Sequence, residues 1–279
     1  MKLIKKIFEF YVYSNLHVSI AIWSLSMITG SYFGVEARSA SLFIGISTFV
    51  SYNGIRFFKY KTALLKKEMH VWFSKNSILL VILNSLLIIQ LIQFVIKLSA
   101  IELKILFPFI VFTLLYMLPF MKFNGQRYSL RKIPGFKIFC IGISWAGLIT
   151  FFPLVNHFEL KGTGISLFFM QQFLFIVVLI LPFDIRDMDF DAEDLKTIPM
   201  VLGVKWSKRI AMILLLIVNV VSVCVFEDKE VVVLFLMSLL LGGFVWCSKR
   251  NQSKYYASFW VEGIPIIWLV LLFLIDFLI

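Results

Sequence analysis

Residues 163–209 read TGISLFFMQQFLFIVVLILPFDIRDMDFDAEDLKTIPMVLGVKWSKR. The first part, to Phe183, is an apolar run of the length that one helix needs to cross a hydrocarbon core, about 20 residues. The second part is its chemical opposite. Acids gather immediately after Phe183, at Asp184, Asp187, Asp189, Asp191 and Asp194, and lysines follow at 196, 205 and 208. An abrupt change from apolar to acidic at the end of a span places ionisable groups at a membrane surface.

The rest of the chain repeats the first part of that stretch. Of 279 residues, 61% are hydrophobic and 15% charged, against about half and about a quarter in a soluble domain. This composition excludes a soluble globular enzyme, a disordered chain and a coiled coil. Nine apolar stretches are legible, at about 16–35, 40–58, 77–97, 104–121, 136–156, 163–183, 208–226, 230–248 and 258–278. The expectation is an all-α polytopic membrane protein in which residues 1–279 form one integral-membrane domain. The basic N-terminal stretch is read as part of the mature protein, because Glu9, Asn15 and His17 interrupt the apolar run that follows.

Basic residues supply the direction. Lys and Arg accumulate in cytoplasmic loops. The N-terminal stretch and the connections after the second, fourth, sixth and eighth spans hold 22 of the 27 Lys and Arg residues. A cytoplasmic N-terminus follows, with the C-terminus on the opposite side of the cell membrane. The net charge of +11 reads as topology plus attraction to anionic lipid headgroups. Nucleic-acid binding has no support. Cys140, Cys224 and Cys247 lie far apart in apolar runs and form no metal or redox motif.

Two connections expected on the cytoplasmic side are long, at about 58–76 and 184–207. In the second, Asp184, Asp187 and Asp191 are spaced i, i+3, i+7, which on a helix would place them on one face. Three such carboxylates repel unless a cation sits between them. Oxygen ligands that share a metal with phosphate oxygens are the usual setting for Mg²⁺. A solvated acidic loop offset by its own lysines is the plainer reading.

These residues resemble a family. DIRDMDFDAEDLKTIPMVLG is similar to the second Asp-rich motif of the UbiA superfamily of intramembrane prenyltransferases, NxxRDxxxDxxxGxxTLxxxxG. The matches are Arg186, Asp187, Asp191, Lys196, Thr197 and Gly203; Leu195, Ile198 and Pro199 depart from it. Pro119 to Lys122, after the tyrosine-bearing fourth span, resembles a second family segment, followed by Arg127, Arg131 and Lys132. The resemblance implies a UbiA-like bundle of nine spans with cytoplasmic cap loops. It also implies transfer of a prenyl group from a polyprenyl diphosphate to a small hydrophobic acceptor, aromatic or lipid. The metal ligands would be Asp184, Asp187 and Asp191, holding Mg²⁺, with one ion rather than two. Diphosphate contacts would come from Asn53, Arg56, Lys59, Lys61, Lys122, Arg127, Arg186 and Lys196, and Tyr116 would face the acceptor.

One part of the family pattern is missing. The first motif, NDxxDxxxD, falls on SYNGIRFFKYK, where Asn53 remains but Gly54, Phe57 and Lys61 replace the acids. Either Arg56, Lys59 and Lys61 neutralise the diphosphate in place of one metal ion, or the chain is a non-catalytic relative that binds an isoprenoid or a partner. A transporter is the third class. It is disfavoured because the polarity gathers at one membrane face and no internal repeat is visible.

Overall fold

Backbone N–H and C=O groups in apolar surroundings have no water to bond, so each long apolar run satisfies them within a helix. The computed structural model describes residues 2–62, 67–117, 121–123, 126–130, 133–157, 162–226 and 228–278. Among these residues the helices are α1 (Lys2–Tyr13), α2 (Leu16–Phe33), α3 (Arg38–Lys61), α4 (Lys67–Lys97), α5 (Ala100–Met117), α6 (Phe136–Phe151), α7 (Gly162–Asp187), α8 (Ile198–Val225), α9 (Asp228–Cys247) and α10 (Ile264–Leu278). A π-helical segment, Tyr256–Val261, leads into α10. A small antiparallel hairpin, β1 (Met121–Phe123) with β2 (Gln126–Tyr128), lies between α5 and α6.

The expected all-α membrane architecture holds in its coarse form. Six helical stretches among the described residues are long and apolar enough to cross a membrane: Leu16–Phe33, Glu68–Lys97, Gly162–Asp187, Ile198–Val225, Lys229–Cys247 and Tyr256–Phe277. The other three expected spans coincide with α3, α5 and α6. Of these, α6 is apolar but only 16 residues long, α5 has Glu102 in its first turn, and α3 ends in Lys59 and Lys61.

Helix α7 sits deepest, packed against α6, α8 and α9, while α10 returns to lie against α2 and α9. Phe175, Ile176 and Val178 of α7, Leu25 and Ile28 of α2, and Trp268 of α10 are fully buried in one core. The outer faces are apolar as well. Ile78, Leu79, Val81, Ile82, Leu86 and Ile89 of α4 are exposed in a continuous band, larger than a soluble monomer tolerates.

One expectation is corrected. The connections at 58–76 and 184–207 are shorter than the hydropathy suggested, because helix continues beyond the apolar runs. Phe57 and Tyr60 at the end of α3 stack on Phe73, at 4.8 and 5.0 Å between ring centroids, and Tyr60 meets His70 at 4.6 Å. That aromatic contact carries α3 to Lys61 and starts α4 at Lys67. Likewise α8 begins at Ile198, with Thr197 at its N-cap and Pro199 in the first turn, where a missing N–H costs nothing. Gly203, at φ 76° and ψ 160°, then kinks α8 in a conformation open essentially to glycine alone. Polar residues within the spans do not all bond between helices. Asn84 and Asn219 instead donate to carbonyls one turn back in their own helices, Leu80 and Leu215, both at 2.7 Å, a partner always within reach of such a side chain.

The corner between α1 and α2 is set by Asn15, whose φ of 66° is a left-handed conformation that asparagine tolerates better than most residues. Its Nδ2 donates to Asn53 Oδ1 at 3.1 Å, and Asn53 Nδ2 donates to the Ser14 and Phe49 carbonyls at 2.8 and 3.0 Å. Asn53 is fully buried. Replacing it by alanine strands the Asn15 amide and the Ser14 carbonyl, each worth about 1–3 kcal/mol when left unpaired. The expected result for Asn53→Ala is a clearly lowered unfolding temperature in detergent, and an unchanged one would show that water re-enters the corner without cost.

Candidate functional site

The acidic stretch leaves the helix part-way. Helix α7 ends at Asp187, and the Phe190 and Asp191 N–H groups both donate to the Asp187 carbonyl, at 2.9 and 2.8 Å. The chain thus makes one further turn beyond α7, which leaves Asp191 within reach of the same cation as Asp184. Lys137, in the first turn of α6, reaches between them. Its Nζ donates to Asp184 Oδ1 at 2.9 Å and to Asp191 Oδ2 at 2.8 Å. The Asp184 side chain is 1% exposed and that of Lys137 12%, so the pair is shielded from solvent. Asp184 Oδ2 is buried with no hydrogen-bond partner.

The position of Lys137 depends on glycine. Gly135, at φ 72°, starts α6, and its N–H donates to the Leu195 carbonyl at 2.9 Å. This bond pins the start of α6 to the acidic loop. The next residue of that loop, Lys196, has φ 43° and an exposed side chain.

Asp187 faces a different cation. Arg186 grips it in a fork, Nε to Oδ1 at 3.0 Å and Nη2 to Oδ2 at 2.8 Å, while Nη1 donates to Ser258 Oγ at 2.9 Å. Arg186 thereby ties the end of α7 to the π-helical segment. Arg56, half-buried on α3, donates to the Tyr13 carbonyl at the end of α1. Glu262 lies within electrostatic range of both arginines. Its carboxylate makes no hydrogen bond or ion pair among the described residues.

A second polar chain closes the group. His17 Nε2 lies 2.9 Å from the Phe259 carbonyl and its Nδ1 2.9 Å from Tyr11 Oη. A carbonyl only accepts, so Nε2 carries the proton and, in the neutral ring, Nδ1 accepts from the tyrosine. Burial and, secondarily, the charge of Glu262 push the Tyr11 phenol up from its ordinary pKa, which keeps it a donor.

Of the residues singled out from the sequence, Asp184, Asp187, Asp191 and Arg186 come together at one end of the bundle, and Arg56 joins them through Glu262. Asn53 is taken up by the α1–α2 corner. Lys59 is half-buried and Lys61 exposed at the end of α3. Lys122 and Arg127 are backbone partners in the hairpin, their side chains outside the described part. Pro119, Arg131 and Lys132 lie outside the described residues. Tyr116 is half-buried next to the last residue of α5. Among the described residues no group of three His, Cys, Asp or Glu side chains is disposed around one metal position. Searched against protein-family models, curated proteins and solved structures, the chain gives no match.

Sequence reading missed two members. Lys137 was one basic loop residue among several, and its partners lie 47 and 54 positions away. Glu262 was visible as an acid inside an apolar stretch, a signal that marks function by default in a membrane protein. Removing Lys137 leaves two carboxylates without their shared cation, and breaking a buried ion pair from one side costs about 3–5 kcal/mol. The exposed Arg250–Asp189 pair, at 3.7 Å, is worth about 0–1 kcal/mol. Lys137→Ala is therefore expected to lower the unfolding temperature far more than Arg250→Ala. Equal shifts would mean that solvent already screens the Lys137 cluster.

Proposed function

We propose that this chain is a multi-pass membrane enzyme of the UbiA type, with nine spans and a cytoplasmic N-terminus, that transfers a prenyl group from a polyprenyl diphosphate to a small hydrophobic acceptor. The observation that carries the reading is the meeting of Asp184, Asp187 and Asp191 with Arg186 and Lys137 at the end of the central helix. Ionisable groups at the edge of an apolar bundle are costly and serve a purpose. A buried cluster of both signs beside an apolar interior suits a ligand with a charged head and a hydrocarbon tail.

The residues present can accommodate a divalent cation. Asp184, Asp187 and Asp191 are three carboxylates held by two cations, Lys137 and Arg186, so the group is one positive charge short. The unpartnered, buried Oδ2 of Asp184 is a free ligand atom. Asp184 and Asp191 would hold Mg²⁺, which when bound supplies positive charge to diphosphate oxygens. Arg186 and Arg56 would add fixed positive charge to the leaving group, and Lys59, Lys61, Lys122, Arg127 and Lys196 would extend it toward the surface. Stabilising charge that develops on the diphosphate lowers the barrier to breaking its carbon–oxygen bond. Tyr116 remains the candidate on the acceptor side.

The second reading is a non-catalytic isoprenoid binder, favoured by the ion pairs that already engage all three motif acids. Turnover separates the two. Purified protein supplied with radiolabelled prenyl diphosphates and a panel of aromatic acceptors is expected to form product with Mg²⁺ and to lose it with a chelator. Asp191→Asn is expected to lower kcat by at least about 100-fold, the scale for removing one preorganised charge contact. Saturable prenyl-diphosphate binding with no product under any condition would establish the second reading.

Orientation has its own test. In a cysteine-free background, an impermeant thiol reagent added outside intact cells is expected to label Glu36→Cys and to spare Lys254→Cys. The reverse pattern would invert the topology.

A further inference from the structure

The outward side of α8 and α9 carries a groove that no residue of the acidic cluster lines. Met212, Leu215 and Asn219 of α8 continue the helical stripe that Lys208 begins, at i+4, i+7 and i+11, and Gly242, Gly243 and Trp246 face them from α9. The volume is about 450 Å³, within the range of small-molecule sites, about 300–1,000 Å³. Glycine makes the space. A Cβ on Gly242 would meet Leu215 Cδ1 at 3.4 Å, so the helices touch there, whereas nothing lies within 4 Å of the same point on Gly243.

The two ends of the groove differ in chemistry. At the outer end Lys208 Nζ donates to the Trp246 carbonyl at 2.6 Å, which uses one of the three hydrogens of the ammonium. Lys205, Arg209 and Lys249 lie within one turn of these residues in sequence. None of the four cations has an acidic partner among the described residues. Trp206 and Trp246 are both exposed here, as tryptophans are at the headgroup level of a membrane. One turn further in from Leu215 and Gly242, Asn219 Oδ1 and Ser238 Oγ are buried with no hydrogen-bond partner, and beyond them only Phe235 adds to the lining. From Lys208 to Asn219 the helix rises about 16 Å, at about 1.5 Å per residue. That is half of the roughly 30 Å of hydrocarbon in a bilayer, so the groove is one leaflet deep.

We propose that this groove is a binding site for one anionic glycerophospholipid, with an acyl chain between α8 and α9 and the phosphate at Lys208 and its basic neighbours. Charge and depth select this occupant. The mouth is positive and without acidic partners, which complements a phosphate, and the walls below it are apolar until the polar atoms of Asn219 and Ser238 stop the chain. A helix from a second copy would need a seat across the whole bilayer, and this one ends half-way. The inference stands apart from prenyl transfer.

Native mass spectrometry of the full chain, released from detergent micelles, counts the lipids that stay bound. Titrated separately with phosphatidylglycerol and phosphatidylcholine of the same acyl chains, wild type is expected to bind one phosphatidylglycerol at least about fivefold more tightly, the scale of one lysine beside an anionic headgroup. Gly243→Leu places its side chain in open space and is expected to lose that molecule with the unfolding temperature unchanged. Lys208→Gln is expected to abolish the headgroup preference and Lys208→Arg to keep it, and this pair reads the contact even where Gly243→Leu lowers the unfolding temperature. Equal binding of the two lipids by wild type, or a preference that survives Lys208→Gln, would overturn the proposal. A wild-type dimer that Gly243→Leu abolishes would give the groove to a second copy instead. Displacement of phosphatidylglycerol by geranylgeranyl diphosphate would give it to a prenyl ligand.

Discussion

One ammonium group governs the polar end of this bundle. Lys137 Nζ, shared by Asp184 and Asp191 at 2.9 and 2.8 Å, joins the start of α6, the end of α7 and the loop that follows it. Two carboxylates this close repel, and in a shielded setting that repulsion is poorly screened. Without a cation between them Asp191 would swing toward solvent, and the turn at residues 188–191 would have nothing to close on. The backbone bond from Gly135 to Leu195 serves the same end from the other side. Together they turn a flexible acidic stretch into a fixed arrangement of charges.

That arrangement is possible because the rest of the bundle demands little polarity of its own. Helix α7 can bury most of its length, from Phe168 to Ile185, since α6, α8 and α9 cover it, while α4 turns an apolar face outward. Apolar side chains are thus needed on both the inside and the outside, which is why hydrophobic content is so high. The ionic groups are spared for one end. Many polar residues within the spans bond to their own helices, as Asn84, Asn219 and Thr29 do, while bonds between helices are made at Ser26–Ser41, Tyr32–Glu230, His17–Phe259 and the Asn15–Asn53 corner.

Much of this was legible in the residues. The apolar runs located the helices, since periodicity hardly matters when a helix is apolar all round, and the i, i+3, i+7 acids marked the end of α7. What the pattern could not reveal was where the helix stops. Continued helical spacing to Asp191 and termination at Asp187 place the same acids near one another, so the sequence alone does not distinguish them. The main partner of those acids was equally hidden, because Lys137 reaches Asp184 and Asp191 through tertiary packing. Asn53 was read for its place in a motif, whereas its full burial assigns it to the fold. Helix ends were missed where aromatic contacts such as Tyr60 with Phe73 extend a helix past its apolar run.

The exchange of charge between α3 and the segment before α10 carries a consequence for the proposed chemistry. A carboxylate on α3 would need a metal ion to meet an anionic ligand, whereas Arg56 meets it directly and stays charged across the working pH range. Arginine in that place introduces a positive charge that an apolar bundle must balance. Glu262 supplies the balance from a different helix. Because Glu262 makes no ion pair with Arg56, an anionic ligand would meet that arginine without displacing a carboxylate, whereas at Arg186 it would compete with Asp187.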